Sequence, residues 1–336
     1  MRKYSRSFGL AFVAILAACG GETPTSTAPT TSASAATTAA PSATTTASAS
    51  GSTAAVTPPP ADTGPKPVFH LDGFQTPESV AYDDANDRYL VSNINGKPGE
   101  ADNNGYISLV SPDGKMILEK FIAGGVNKVT LHAPKGTAIA GGMLYISDLD
   151  TIRKFDLKTG APKGEIKIPN STFLNDVDAD AAGNVYVSDT GIKFGAKGPE
   201  PTGTDAVYMI DKTGKIKTLA KGADLSKPNG VYAGDKSGVW VVTFGAAKIY
   251  RLDDKGKKQD ETTLPAGSLD GIVKSGDDVF VSSWDSSSVY KGKPGGTFTV
   301  AIPNVKSPAD IGLDTKRHRI LVPLFTGNAI EAYEIK

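Results

Sequence analysis

One cysteine in 336 residues leaves no intramolecular disulfide and no cysteine-built structural zinc site. Net charge is also missing, since 36 Lys and Arg are matched by 36 Asp and Glu. No large field therefore draws the chain to nucleic acid, and no nucleic-acid partner is expected. An apolar run covers residues 8–18, short of the about 20 residues needed to span a bilayer. Convincing amphipathic helix periodicity, a glycine-rich phosphate loop and a serine in a nucleophile elbow are all lacking, which excludes a parallel α/β enzyme.

What is present first is an export signal. Arg2, Lys3 and Arg6 precede the apolar run, which ends in Leu16-Ala17-Ala18-Cys19-Gly20. Small residues directly before a cysteine resemble the lipobox of bacterial lipoproteins. That resemblance implies a signal peptide over 1–18, lipidation of Cys19 and a membrane-bound mature protein; the alternative is an ordinary cleaved signal beside an incidental cysteine. Gly20, standing where an aspartate often retains lipoproteins at the inner membrane, resembles an outer-membrane address. Residues 19–65 are mostly Ala, Ser, Thr, Gly and Pro, too poor in apolar side chains to offset the entropy of ordering. They read as a disordered tether, and residues 66–336 as one folded domain, expected to act as a monomer.

Within that domain one phrase recurs six times: a small turn, a short apolar alternation, an Asp/Gly-rich turn and a strongly β-prone strand. The copies begin at Thr76-Pro77-Glu78-Ser79, Ala133-Pro134-Lys135-Gly136, Phe173-Leu174-Asn175-Asp176, Lys227-Pro228-Asn229-Gly230, Ser268-Leu269-Asp270-Gly271 and Ser307-Pro308-Ala309-Asp310. Their β-prone strands include Tyr89-Leu90-Val91-Ser92, Val185-Tyr186-Val187-Ser188 and Val279-Phe280-Val281-Ser282. Two further strand candidates follow each, with tight turns such as Asp113-Gly114 and Thr213-Gly214 between them. Four antiparallel strands per repeat, at a spacing of roughly 40 to 57 residues, predict an all-β, six-bladed β-propeller. The last repeat supplies only three strands, so residues 67–71 should complete it and close the ring. Extra length at 93–105 and 190–204 falls after the second strand of the first and third blades; these segments read either as lids over the channel mouth or as tolerated surface loops.

Equivalent turns should bring Glu78, Lys135, Asn175, Asn229, Asp270 and Asp310 together around the axis. Carboxylates gathered beside amide oxygens repel one another unless protons or a cation intervene. One divalent ion with oxygen ligands (calcium, zinc, manganese or magnesium) is the expected cofactor. Turn chemistry alone explains Asn, Asp and Gly at such places, but not Glu or Lys. His70, His132 and His318 fall at dissimilar points of the repeat and suggest no shared cluster. Asp148 and Asp189 read as turn caps, Trp240 and Phe280 as core, and Trp284 as a side chain facing the mouth.

Taken together, the repeats and the Pro-Asn-Gly, Asp-Gly and Asn-Asp turns resemble the regucalcin/gluconolactonase-like (senescence marker protein) propellers over the whole folded domain. The resemblance implies a divalent metal bound by Glu78, Asn229 and Asp270, with Asn175 contacting substrate or water. It implies a gluconolactonase-like hydrolysis of lactones or small esters at the cell envelope, Asp270 doubling as the base and Lys135 stabilising the oxyanion. Lys135 equally reads as an ion-pair partner of Glu78 or Asp310 that replaces the metal. The chain departs from the family at Lys135, at Asp310 and at Thr172-Phe173-Leu174, where sugar-lactone hydrolases often carry an arginine. The alternative function is a non-catalytic envelope propeller binding a protein, glycan or small molecule.

Overall fold

The computed structural model describes residues 64–335. The expected signal peptide at 1–18, Cys19 and the expected tether up to residue 63 lie outside the described residues.

The second strands explain why the chain cannot stay open. Val239–Thr243 and Arg88–Asn93 are buried nearly throughout, on both faces, so they read as continuous apolar runs rather than alternations. A strand of this kind needs a sheet packed on each side. Six four-stranded antiparallel sheets meet that need. The blades start with the strands Pro77–Asp83, Pro134–Ala140, Leu174–Ala179, Pro228–Tyr232, Leu269–Ser275 and Gly312–Asp314. Each first strand lies against the first strand of the next blade, and the sixth lies against the first, so these strands ring a central axis. Six apolar clusters fill the six gaps between neighbouring blades. Trp240 and Phe280 belong to them, as the core side chains expected, and stand on second strands. Fourth strands such as Pro162–Lys167 and Lys258–Thr263 are largely polar and lie at the solvent rim.

Closure follows the expected scheme. The last blade takes Gly312–Asp314, Arg319–Leu324 and Ala329–Glu334 from the end of the chain, and its outer strand is Phe69–Asp72. Phe69 faces Ala332 and Leu71 faces Ile330 in antiparallel register. Phe74, just beyond, is fully buried in the cluster between the last and first blades. A tight turn with glycine at positive φ joins third and fourth strands at Gly114, Gly160, Gly214 and Gly256. At Gly256 a Cβ would collide with the Leu219 carbonyl oxygen, so glycine is required there by space as well as by backbone.

Two elements differ from the sequence expectation. The segment 190–204 carries a hairpin of its own, Ile192–Gly195 paired with Gly198–Pro201, where only an insertion was expected. Asp310 also falls out of the predicted register, for a reason that lies in the first strands themselves.

Candidate active site at the channel mouth

Five of the six first strands share one irregularity. Pro77 pairs with Asn93 and Val80 with Val91, so Glu78 and Ser79 together oppose the single residue Ser92. The same slip occurs after Pro134, Leu174, Pro228 and Leu269. Each is a β-bulge, and a bulge re-aims side chains that strict alternation would send to opposite faces. The first bulge residues are Glu78, Lys135, Asn175, Asn229 and Asp270, and all five are buried and line one cavity of about 390 Å³. The second bulge residues are Ser79, Gly136, Asp176, Gly230 and Gly271. Their displaced N–H groups need acceptors, and the second strand supplies them: Ser79 donates to Ser92 Oγ (2.9 Å), Asp176 to Ser188 Oγ (3.0 Å) and Gly271 to Ser282 Oγ (2.8 Å).

Asp310 belongs to this second layer, not to the mouth. It bridges Ser79 in parallel fashion, and the residue at the mouth position of the last repeat is Ala309. Ser79 Oγ donates to Asp310 Oδ2 at 2.7 Å. With Ser79 and Asp176, Asp310 lines a cavity lacking all five first bulge residues, which corrects its placement among them. Asp176, unassigned from sequence, accepts from Val177 N (2.6 Å) and from Val231 N (2.7 Å) of the next blade. Glycine is needed beside both carboxyls, since a Cβ on Gly136 would collide with the Asp176 carboxyl and one on Gly271 with the Ile311 N–H beside Asp310. Burial pushes Asp310 up to about 7, with the Ser79 hydroxyl and Asp176 holding it down.

At the mouth itself, the amide groups are oriented by their own donors. Asn175 Nδ2 donates to Thr190 Oγ1 (3.0 Å), which passes a hydrogen bond to the Pro228 carbonyl (2.9 Å). Asn229 Nδ2 donates to the Leu269 carbonyl at 3.4 Å. Both amide oxygens are thereby left for the cavity. Four buried oxygens there have no hydrogen-bond partner: Glu78 Oε2, Asn175 Oδ1, Asn229 Oδ1 and Asp270 Oδ1. A buried acceptor without a donor costs about 1–3 kcal/mol, and four of them line this one space. Burial, then the Asp270 and Asp310 charges, raise Glu78 well above the carboxylate range, with Lys135 opposing. Burial, then Asp310, raise Asp270 likewise, offset by the nearby Trp284 indole and Asn229 amide.

Lys135 is 1 % exposed, and burial lowers its pKa while Asp148 and Glu78 pull it up. Its ammonium donates to the Ala133 carbonyl (3.0 Å) and lies 4.4 Å from the centre of the Phe173 ring. Among the described residues it has no ion pair within 4 Å with Glu78 or Asp310, so the expected alternative of direct pairing is not what the structure adopts. Trp284 does face the mouth, packed edge-on to Phe244. Asp148 and Asp189 cap the entry to their first strands, accepting from Ala133 N (2.9 Å) and Phe173 N (3.0 Å).

No protein-family model matches the sequence, and no curated protein resembles it significantly. Solved structures do share the fold. A gluconolactonase from Xanthomonas campestris, described as important in glucose secondary metabolic pathways, is 16 % identical with a TM-score of 0.61, over 80 % of this chain and 89 % of that one. The fold is the six-bladed propeller seen in gluconolactonases. A luciferin-regenerating enzyme is 13 % identical with a TM-score of 0.56, over 78 % of this chain and 91 % of its own. Virginiamycin B lyase from Staphylococcus aureus is 16 % identical with a TM-score of 0.54, over 80 % of this chain and 99 % of its own. One architecture thus carries hydrolase and lyase names, and function has to be argued from the mouth residues.

Proposed function

We propose that this propeller is a gluconolactonase-like, metal-dependent hydrolase of lactones or small esters, displayed at the cell envelope through a lipid on Cys19. The observation that carries the reading is the set of four unpartnered buried oxygens on Glu78, Asn175, Asn229 and Asp270. Glu78, Asn229 and Asp270 would hold one divalent ion, with the Asn175 oxygen beside them. When bound, that ion supplies Lewis acidity toward a carbonyl oxygen and a lowered pKa for a water. The chain's own residues do the rest. Asp270 takes the proton from the attacking water. Asn175, its amide fixed by Thr190, presents an acceptor that orients the water or substrate. Lys135 offers N–H donors to the oxygen that gains charge as the carbonyl becomes tetrahedral.

A second reading, a non-catalytic binding propeller, draws on Lys135 alone: a buried ammonium beside the ligand set opposes a cation. A panel of lactones and aryl esters assayed with added calcium, zinc, manganese or magnesium decides between them, with Asp270→Ala as control. Metal-stimulated turnover lost in the variant supports hydrolysis; turnover equal in the two proteins removes it.

A further inference from the structure

The mouth cavity has two chemically distinct halves. Its floor holds the unpartnered oxygens and Lys135, and its walls are almost wholly apolar. Phe244, Trp284 and Phe325 form one side, with ring centres 5.9 Å apart for the first pair and 5.1 Å for the second. Phe173 and Phe194 form another, with centres 5.6 Å apart. Phe194 sits in the third-blade hairpin, and the first-blade insertion reaches it: a Cβ on Gly99 would lie 2.7 Å from Phe194 Cδ2. The two insertions therefore meet over the mouth and narrow it with apolar side chains, Ile94, Pro98 and Pro199 among them.

From this the geometry points to a substrate with an aryl or alkyl body and one ester or lactone group, and against a polyhydroxylated sugar lactone. This rests on the hydrolase reading for the reaction but not for the binding. Apart from the single Trp284 indole N–H, the walls give ring hydroxyls no partners, and each hydroxyl desolvated without one weakens binding. A flat apolar body gains from the same walls through burial and ring contacts. The polar end of such a molecule reaches the floor, where its carbonyl meets Lys135, the unpartnered oxygens and, at the wall's edge, the unpartnered Trp284 indole N–H. A volume of about 390 Å³ suits a bicyclic lactone or a small aryl ester.

Dihydrocoumarin, an aryl-fused lactone, and gluconolactone separate the two classes in the metal-supplemented protein. Dihydroquinolinone, the uncleavable lactam of the first, reports binding alone by calorimetry on the protein as purified. The expected result is a kcat/KM about 100-fold higher for dihydrocoumarin, with dihydroquinolinone binding weakened about tenfold by Phe194→Ser, an exposed position that tolerates the change. A preference for gluconolactone would overturn the substrate class and leave the hydrolase reading standing. Lactam binding that depends on Phe194, with no lactone cleaved, would support the class and remove the hydrolase reading. Absence of lactam binding would overturn the inference whatever the turnover.

Discussion

The backbone amide of Asp310 donates to the carbonyl oxygen of Glu78 at 2.8 Å, fastening the last blade to the first at the axis while Phe69–Asp72 fastens them at the rim. The ring is thus closed twice, once by the inner strands and once by a strand from the other end of the chain.

Removing the outer fastening should be costly. Deletion through Leu71 takes away the pairing of Phe69, His70 and Leu71 with Ala332, Glu331 and Ile330, and uncovers a sheet edge. Lost hydrogen bonds at about 1 kcal/mol each, plus the burial of two apolar side chains, sum to several kcal/mol. For a domain of this size that is a fall in Tm of about 10 °C, measurable by differential scanning calorimetry. An unchanged Tm would show that the inner closure suffices.

Cation binding has a direct readout. Calcium, manganese, zinc or magnesium should raise Tm by several degrees, because a ligand for the folded state stabilises it by an amount that grows with the logarithm of its concentration over Kd. Asp270→Asn should abolish the response while raising the Tm of the metal-free protein at pH 8, since it removes one of the repelling carboxylates. A metal response that survives in the variant would exclude Asp270 as a ligand.

The six-blade plan and the five mouth residues were legible because each lies in a repeated phrase of fixed local order. Asp310 was misplaced although its repeat marks the offset: the mouth residue directly follows the proline in Pro77-Glu78, Pro134-Lys135 and Pro228-Asn229, and that rule selects Ala309 after Pro308, leaving Asp310 level with Ser79. The bulges were hidden. Their signature is the serine that accepts the displaced N–H, and Ser92, Ser188 and Ser282 look in sequence like ordinary strand residues. Asp176 was silent for a further reason, since its partners Val231 and Asp310 come from other blades. Gly and Pro at 191–201 concealed a hairpin whose pairing depends on the chain turning back, not on apolar alternation.

Those serines give a sharp test. Ser282→Ala leaves Gly271 N–H buried without an acceptor, and a lost bond of this kind costs about 1–3 kcal/mol. Urea unfolding should register that loss with little change in slope. Ser286→Ala, on the half-buried stretch nearby, bonds only to Ser288 and should cost far less. Equal losses at the two positions would mean the hydroxyl of Ser282 does not carry the bulge.

The raised carboxyls fix the direction of a pH effect. Glu78, Asp176, Asp270 and Asp310 are all easier to protonate in the folded protein than in the unfolded chain, chiefly through burial. The stability they lend is complete below the ordinary carboxyl range near 4 and is lost as pH rises through their raised pKa values, Asp310's share through about 7. Metal-free protein should therefore melt several degrees higher at pH 5 than at pH 8. Calcium should close most of that gap by stabilising the ionised forms. A Tm that rises steadily from pH 5 to pH 8 without metal would contradict the burial of these groups.

Lys135 separates two roles by opposite effects. Its ammonium is close enough to Glu78 to lower that carboxyl's pKa and so to weaken any cation held there. Lys135→Met keeps length and apolar packing against Phe173 while removing the charge. Divalent affinity, measured by titration calorimetry, should then rise about tenfold, which is the effect of roughly 1.4 kcal/mol of relieved repulsion. If the same ammonium also holds the developing oxyanion, kcat on a cleaved lactone should fall about 100-fold despite the tighter metal. Tighter metal with undiminished kcat would leave Lys135 as an electrostatic brake on the site; unaltered affinity would remove it from the cation's surroundings.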